Sequence, residues 1–171
     1  LPIAVLAALV AHRANSEPVA YVTDLKSGGP VLSRADAFPD RFRMDRSGIE
    51  EDGRTFVCIH NPPLRLAIIG AVHIAQYLAP MARTCGYTPV IIDPRPAFAA
   101  QGRFPDETLI DAWPDTALQS LDMDARMAVV TLSHDPKLDD PAIEAALASD
   151  CFYLGCLGSK RTHAKRVERL V

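Results

Sequence analysis

Residues 66–78, LAIIGAVHIAQYL, pass from a short apolar run through one glycine straight into a helical pattern. A strand must end and a helix must begin within a single turn there. That is how the first strand, turn and helix of a dinucleotide-binding fold read. The texture continues downstream. PVIID (89–93) reads as a second strand, TLIDAW (108–113) holds a short third, and RMAVVTL (126–132) is a strong fourth. Between them, 73–85 reads as a helix closed by Gly86, and Pro114 to Leu121 as a short one. AIEAALAS reads as a helix opened by Asp140 as N-cap with Pro141 at the first helical position. CFYLGCLG (151–158) then leads into a basic helix from Ser159. Strands alternating with helices imply a parallel sheet covered on both faces. The expected fold class is α/β, a Rossmann-like doubly wound parallel sheet preceded by a small α+β region.

That preceding region has another texture. Residues 2–14 suggest a helix, PVAYVTDL (18–25) a strand and SGGP (27–30) a turn, whereas 33–46 point to no definite element. Asp52-Gly53 lies between two strand-like runs and favours a tight hairpin. Asn61-Pro62-Pro63 cannot continue a strand ladder and reads as a linker. The expected division is a helix/strand region over 1–63 and a Rossmann-like domain over 64–171. LPIAVLAALVA lacks a basic leader and a cleavage site, so it reads as a buried helix rather than a secretion signal. Leu1 and Val171 both read as cuts in a longer protein, which leaves the domain truncated.

Composition narrows the classes. The chain has 171 residues, 18 Lys and Arg against 21 Asp and Glu, and a net charge of −3, a balance that argues against a nucleic-acid-binding protein. No apolar run approaches the length of a membrane span. Cys58, Cys85, Cys151 and Cys156 form no C-x-x-C and no zinc spacing, so free thiols in a reducing cytoplasm are expected and no metal site is. There is no G-x-S-x-G and no P-loop. Homodimerisation is expected only as the common state of proteins of this kind.

The glycine fingerprint G-x-G-x-x-G, laid on Gly70, meets Val72 and Ala75 at its second and third glycines. Gly70 keeps the tight turn and Ala75 is small enough for helix–strand packing. Val72 is expected to point its branched side chain where a phosphate would approach. The N–H groups from Val72 through His73 to Ile74 still open a helix and remain an anion site. Asp93 ends the second strand, where an acidic residue can bond a ribose hydroxyl, and Arg95 could meet a phosphate instead. A bound dinucleotide, another phosphate-bearing ligand and an inert scaffold all remain open.

Two more loops follow strand carboxyl ends, where open α/β sheets place ligands. SHDPKLDD (133–140) offers His134 and Asp135 as weak candidates for acid–base or ligand contacts. GCLGSKRT (155–162) sets Gly158, Ser159, Lys160 and Arg161 at a strand-to-helix turn. Cations there oppose the helix dipole, which favours an anionic ligand over a plain cap. Lys165, Arg166 and Arg169 extend a basic stripe expected to face solvent or a partner.

GAVHIAQYLAPMA, VIIDPRPAFA, RFP, VVTLSHDPKLDDPAI and FYLGCLGSKRTHAKRVERL, in this order, resemble the C-terminal Rossmann domain of the XdhC/CoxI family. The resemblance covers roughly 64–171. The family commonly has G-A-G-H-[IV]-[GA] where this chain has Gly70-Ala71-Val72-His73-Ile74-Ala75. It implies an accessory protein, a cofactor-binding chaperone more than a catalyst, that matures molybdenum hydroxylases of the xanthine dehydrogenase type. Such proteins bind molybdenum cofactor (molybdopterin or its dinucleotide form), keep it for sulfuration and hand it to the apoenzyme, which implies a cysteine desulfurase among the partners. The family's N-terminal Ser-Gly-Gly-Cys stretch is absent: Ser27-Gly28-Gly29 is followed by Pro30. Two alternatives stand beside this expectation. One is an NAD(P)-dependent oxidoreductase with His134 as proton donor, and the other is a scaffold with a vestigial nucleotide site.

Overall fold

A computed structural model of the chain describes residues 2–171. It divides into two compact units, one ending at Pro62 and the other spanning Pro63–Val171.

The first unit contains helices α1 (Ile3–Ala14) and α2 (Pro39–Arg43) and strands β1 (Val19–Asp24), β2 (Gly28–Arg34), β3 (Gly48–Ile49) and β4 (Thr55–His60). The strands form an antiparallel sheet of order β2-β1-β4-β3 around Ala20, Phe42 and Val57. Three expectations change here. The turn is at 25–27, and Gly28 to Pro30 already belong to β2. The Asp24 carboxylate fixes it by accepting from the N–H groups of Lys26 and Ser27 at 2.8 and 2.9 Å, and Pro30 is tolerated because β2 is an edge strand. Residues 33–46, read as irregular, hold α2, which begins at Pro39 and buries Phe42. Helix α1 has no buried side chain, and Ile3 is 86% exposed, contrary to the expected buried helix.

The second unit holds β5 (Leu64–Ile69), α3 (Ala75–Thr84), β6 (Tyr87–Ile92), β7 (Thr108–Ile110), α4 (Pro114–Ser120), β8 (Met127–Thr131), α5 (Pro136–Leu147), β9 (Tyr153–Cys156) and α6 (Lys160–Leu170). Its five strands are all parallel, in the order β7-β6-β5-β8-β9. This is the Rossmann-like sheet that the sequence led us to expect. Alternation along β5 divides the core. Leu66 and Ile68 pack with Ala75, Ala79 and Ala82 of α3, while Ala67 and Ile69 pack with Leu118 of α4 and with Leu138, Ala142 and Ala146 of α5. Small residues at helical spacing let α3 lie close on the sheet.

Helix α5 begins at Pro136 with Asp135 as its N-cap, not at Asp140-Pro141. Asp135-Pro136 carries the same start signal one turn and a half earlier, and burial of Leu138 and Asp139 rewards the longer helix. Pro141 therefore sits inside the helix, at the cost of one backbone hydrogen bond.

Ile68 is fully buried in the α3-side core. Ile68→Ala should lower unfolding free energy by about 2–5 kcal/mol at unchanged denaturant slope. A loss under about 1 kcal/mol in a urea titration would contradict this packing.

Candidate functional site

All strands of the second unit run the same way, so the turns after β5, β6, β8 and β9 gather at one edge of the sheet. The chain leaves β5 for β6 through α3, and β8 lies on the other side of β5, so the order reverses between β5 and β8. Open sheets of this kind bind ligands at that reversal.

Gly70 ends β5 with φ +103°. A Cβ there would lie 3.0 Å from both the backbone nitrogen and Cβ of Ser133, so only glycine lets the two turns touch. Its N–H donates to Ile92 O at 2.9 Å, and that of Ala71 donates to Asp93 Oδ2 at 2.8 Å. The N–H groups of Val72, His73 and Ile74 have no acceptor among the described residues. They are the free donors at the start of α3. The Val72 side chain is half-buried and packs against the α3-side core. His73 is exposed and stacks edge-to-face on Tyr77, ring centroids 5.1 Å apart.

Asp93 and Arg95 are turned on each other rather than outward. Asp93 is fully buried, and Arg95 donates to it through its backbone N–H (3.0 Å), Nε (2.8 Å) and Nη2 (2.7 Å). With the Ala71 N–H, four donors occupy the two oxygens, which is the capacity of a carboxylate. This structure therefore leaves Asp93 no lone pair for a ribose hydroxyl. Burial pushes the Asp93 carboxyl up, but the Arg95 side chain and the two backbone N–H groups outweigh it and hold it below the usual range. Asp93 in turn raises Arg95, whose guanidinium also lies 4.2 Å over the Phe98 ring. Arg103, which the sequence marks only as part of the RFP motif and not as a site residue, donates 2.7 Å bonds to Ala71 O and Phe98 O and steadies the glycine turn from outside.

Past β8, Asp135 caps α5 by accepting from Lys137 N–H at 3.0 Å. His134 is exposed and holds φ +60°. Ser133 Oγ donates to Asp139 Oδ1 at 2.6 Å. Asp139 is 2% exposed, and burial raises its carboxyl despite the opposing Ser133 hydrogen bond and the Arg166 charge. Past β9, Ser159 is the N-cap of α6, its Oγ accepting from Thr162 N–H at 3.2 Å. Gly158 lets that first turn close tightly, since a Cβ would meet Thr162 Cβ at 3.1 Å. The N–H groups of Lys160 and Arg161 have no acceptor among the described residues.

The basic stripe is not uniformly solvated. Arg166 is buried, and Arg169 grips Asp140 through Nε and Nη2 at 2.8 and 2.9 Å. Arg161, Lys165, Arg166 and Arg169 line a cleft of about 240 Å³ with His134 and Asp139. Lys160 lies outside that lining. The structure thus forms two clusters, Gly70–Ile74 with Asp93 and Arg95, and His134 with Arg161. Ser133 joins them, touching Gly70 on one side and Asp139 on the other. Among the described residues, no three His, Cys, Asp or Glu side chains converge on a metal-sized point, and no helix is long and apolar enough to cross a membrane. All four cysteines are free, with Cys156 half-buried in β9.

The XdhC Rossmann domain family matches residues 66–171, and the chain belongs to it. It is 34% identical over 109 residues to the molybdenum cofactor insertion chaperone PaoD of Escherichia coli K12, covering 64% of this chain and 28% of that protein. It is 31% identical over 111 residues to a protein of Bacillus subtilis 168 named as a probable xanthine dehydrogenase component, covering 64% of this chain and 32% of that one. The match thus spans about a third of the length of these curated relatives. The fold resembles a crystal structure of a xanthine dehydrogenase from Bacillus halodurans, with TM-score 0.74 and 22% identity over 95% of this chain and 55% of that one.

Two outcomes follow from the glycine turn and its carboxylate. Gly70→Ala should cost about 2–4 kcal/mol through positive φ and contact with Ser133, read by urea unfolding. Asp93→Asn should cost roughly 2–3 kcal/mol at neutral pH, the Arg95 side being partly hydrated. Because the folded carboxyl is held low, its contribution is full above the ordinary carboxylate range and disappears as pH falls through the folded value. The variant and the parent should therefore converge in acid; a gap that widened there would refute the assignment.

Proposed function

We propose that this chain, through its Rossmann part over 64–171, belongs to an accessory protein that binds molybdenum cofactor as cargo and delivers it to a molybdenum hydroxylase of the xanthine dehydrogenase type. The observation that carries the reading is the turn after Gly70. Three backbone N–H groups, those of Val72, His73 and Ile74, are free there at the start of a ten-residue helix. They suit the phosphate of a pterin, or the pyrophosphate of its dinucleotide form. The E. coli relative is itself named as an insertion chaperone for this cofactor. Asp93 supports the same choice against an NAD(P) oxidoreductase, since its oxygens are filled by Ala71 and Arg95. In this reading the chain holds and orients its cargo and does no bond chemistry of its own. Asp93 and Arg95 support the turn, and Lys160 and Arg161 supply charge at a second helix start. His134 faces the polar edges of the ligand, with Asp135 confined to capping α5.

The hydroxylase apoenzyme is the recipient, and a cysteine desulfurase is the donor when the cofactor is sulfurated. A second copy of the chain is the remaining partner. The domain division at the Asn61-Pro62-Pro63 linker fits this use, with the Rossmann part holding the cofactor.

The test is calorimetry on the full-length protein with anaerobic molybdenum cofactor and, separately, with NAD(H). The pterin cofactor should bind and NAD(H) should not. Ile74 is 48% exposed at the start of α3, so Ile74→Asp keeps the fold and suits the helix dipole, yet repels an anion. It should weaken cofactor binding about tenfold or more, a loss of at least about 1.4 kcal/mol. Binding of NAD(H) alone, or an unchanged affinity in Ile74→Asp, would overturn the reading.

A further inference from the structure

The cleft between the start of α5 and the face of α6 contains a buried guanidinium whose donors are only partly satisfied among the described residues. Arg166 is 5% exposed, and its Nε and Nη1 have no hydrogen-bond partner among the described residues. Nη2 donates to Leu157 O at 3.2 Å, while Asp139 Oδ2 stands at 3.6 Å, an ion pair without a hydrogen bond. Arginine is seldom buried unless its donors are satisfied, and an unsatisfied one is costly. Arg166 belongs to the lining of the 240 Å³ cleft.

The rest of the lining matches it. Arg161 and Lys165 are exposed and have no carboxylate partner among the described residues. Four cations, Arg161, Lys165, Arg166 and Arg169, face two carboxylates, Asp139 and the Asp140 held by Arg169, which leaves an excess of two positive charges. Arg161 and Thr162 of the lining belong to the first turn of the eleven-residue helix α6, whose dipole adds positive potential there. The volume is below the roughly 300–1,000 Å³ usual for whole small-molecule ligands. It suits one compact group.

We propose that this cleft binds a tetrahedral oxyanion of phosphate type, a free phosphate or a phosphate monoester, with Arg166 as the buried anchor and Arg161 and Lys165 as the closing cations. Arginine suits the anchor because its guanidinium stays charged when buried and carries several N–H donors, more than Leu157 O occupies. Asp139, held by Ser133, keeps that guanidinium in place. The site stands apart from the Gly70 turn and does not rest on the identity of the cargo.

The probe is inorganic phosphate, titrated against the full-length protein by calorimetry and by phosphorus NMR. It should bind and raise the melting temperature. Arg161→Ala/Lys165→Ala changes only exposed side chains and should weaken phosphate binding at least tenfold with the unliganded melting temperature unchanged. Arg166→Met should abolish phosphate stabilisation even where it folds less well. Repeating the titration with molybdenum cofactor present separates the two sources. Competition means that the phosphate monoester of the cargo occupies the cleft, and simultaneous binding means a free anion. No phosphate binding by the parent protein, or equal binding by the double variant, overturns the proposal whatever the cofactor does.

Discussion

The carboxylate of Asp93 accepts one N–H from the glycine turn after β5 and three from Arg95 after β6, and it does so fully buried. A buried charge survives only when its lone pairs are filled, and these are. The consequence is positional. Tying Ala71 to the end of β6 fixes where the chain turns, and so fixes which N–H groups of the following turn stay free. Gly70 permits the other half of the arrangement, contact with Ser133 at the point where the strand order reverses. The candidate site is thus built from one satisfied anion and one missing Cβ.

That arrangement also explains how a dinucleotide-type fold can serve without a complete glycine fingerprint. The second glycine of the pattern matters where its replacement would fill the phosphate's approach. Here Val72 packs against the α3-side core, and the turn gains apolar contact where the pattern has its second glycine. The carboxylate that could read a ribose is meanwhile used to build the turn. Together these features favour a ligand recognised by its phosphate over one recognised by its ribose.

Much of this is legible in the sequence. The alternation from Leu64 onward implies the parallel sheet, and the family resemblance follows from motifs in order. Gly70, Asp93, Arg95, His134 and Arg161 all fall at strand ends where the sheet gathers them. What the sequence withholds depends on direction and saturation. Asp93 and Arg95 are two residues apart, yet nothing in their spacing says that they spend their bonds on each other. Asp135-Pro136 and Asp140-Pro141 are equal as start signals, and burial of Leu138 and Asp139 decides between them. Arg166 looks like any member of a basic helix until packing of α6 against α5 buries it beside Asp139. Arg103 acts only through backbone carbonyls, which leave no residue-type signature.

The central claim is that cargo phosphate rests on the free N–H groups of the turn after Gly70. Amide NMR on the full-length protein, with selective labelling to resolve Val72, His73 and Ile74, tests it most directly. On addition of anaerobic molybdenum cofactor, these three amides should move downfield together as they gain an anionic acceptor, while Ala71, already bonded to Asp93, should move little. Shifts confined to other parts of the chain, with these three amides unchanged at saturation, would contradict the account.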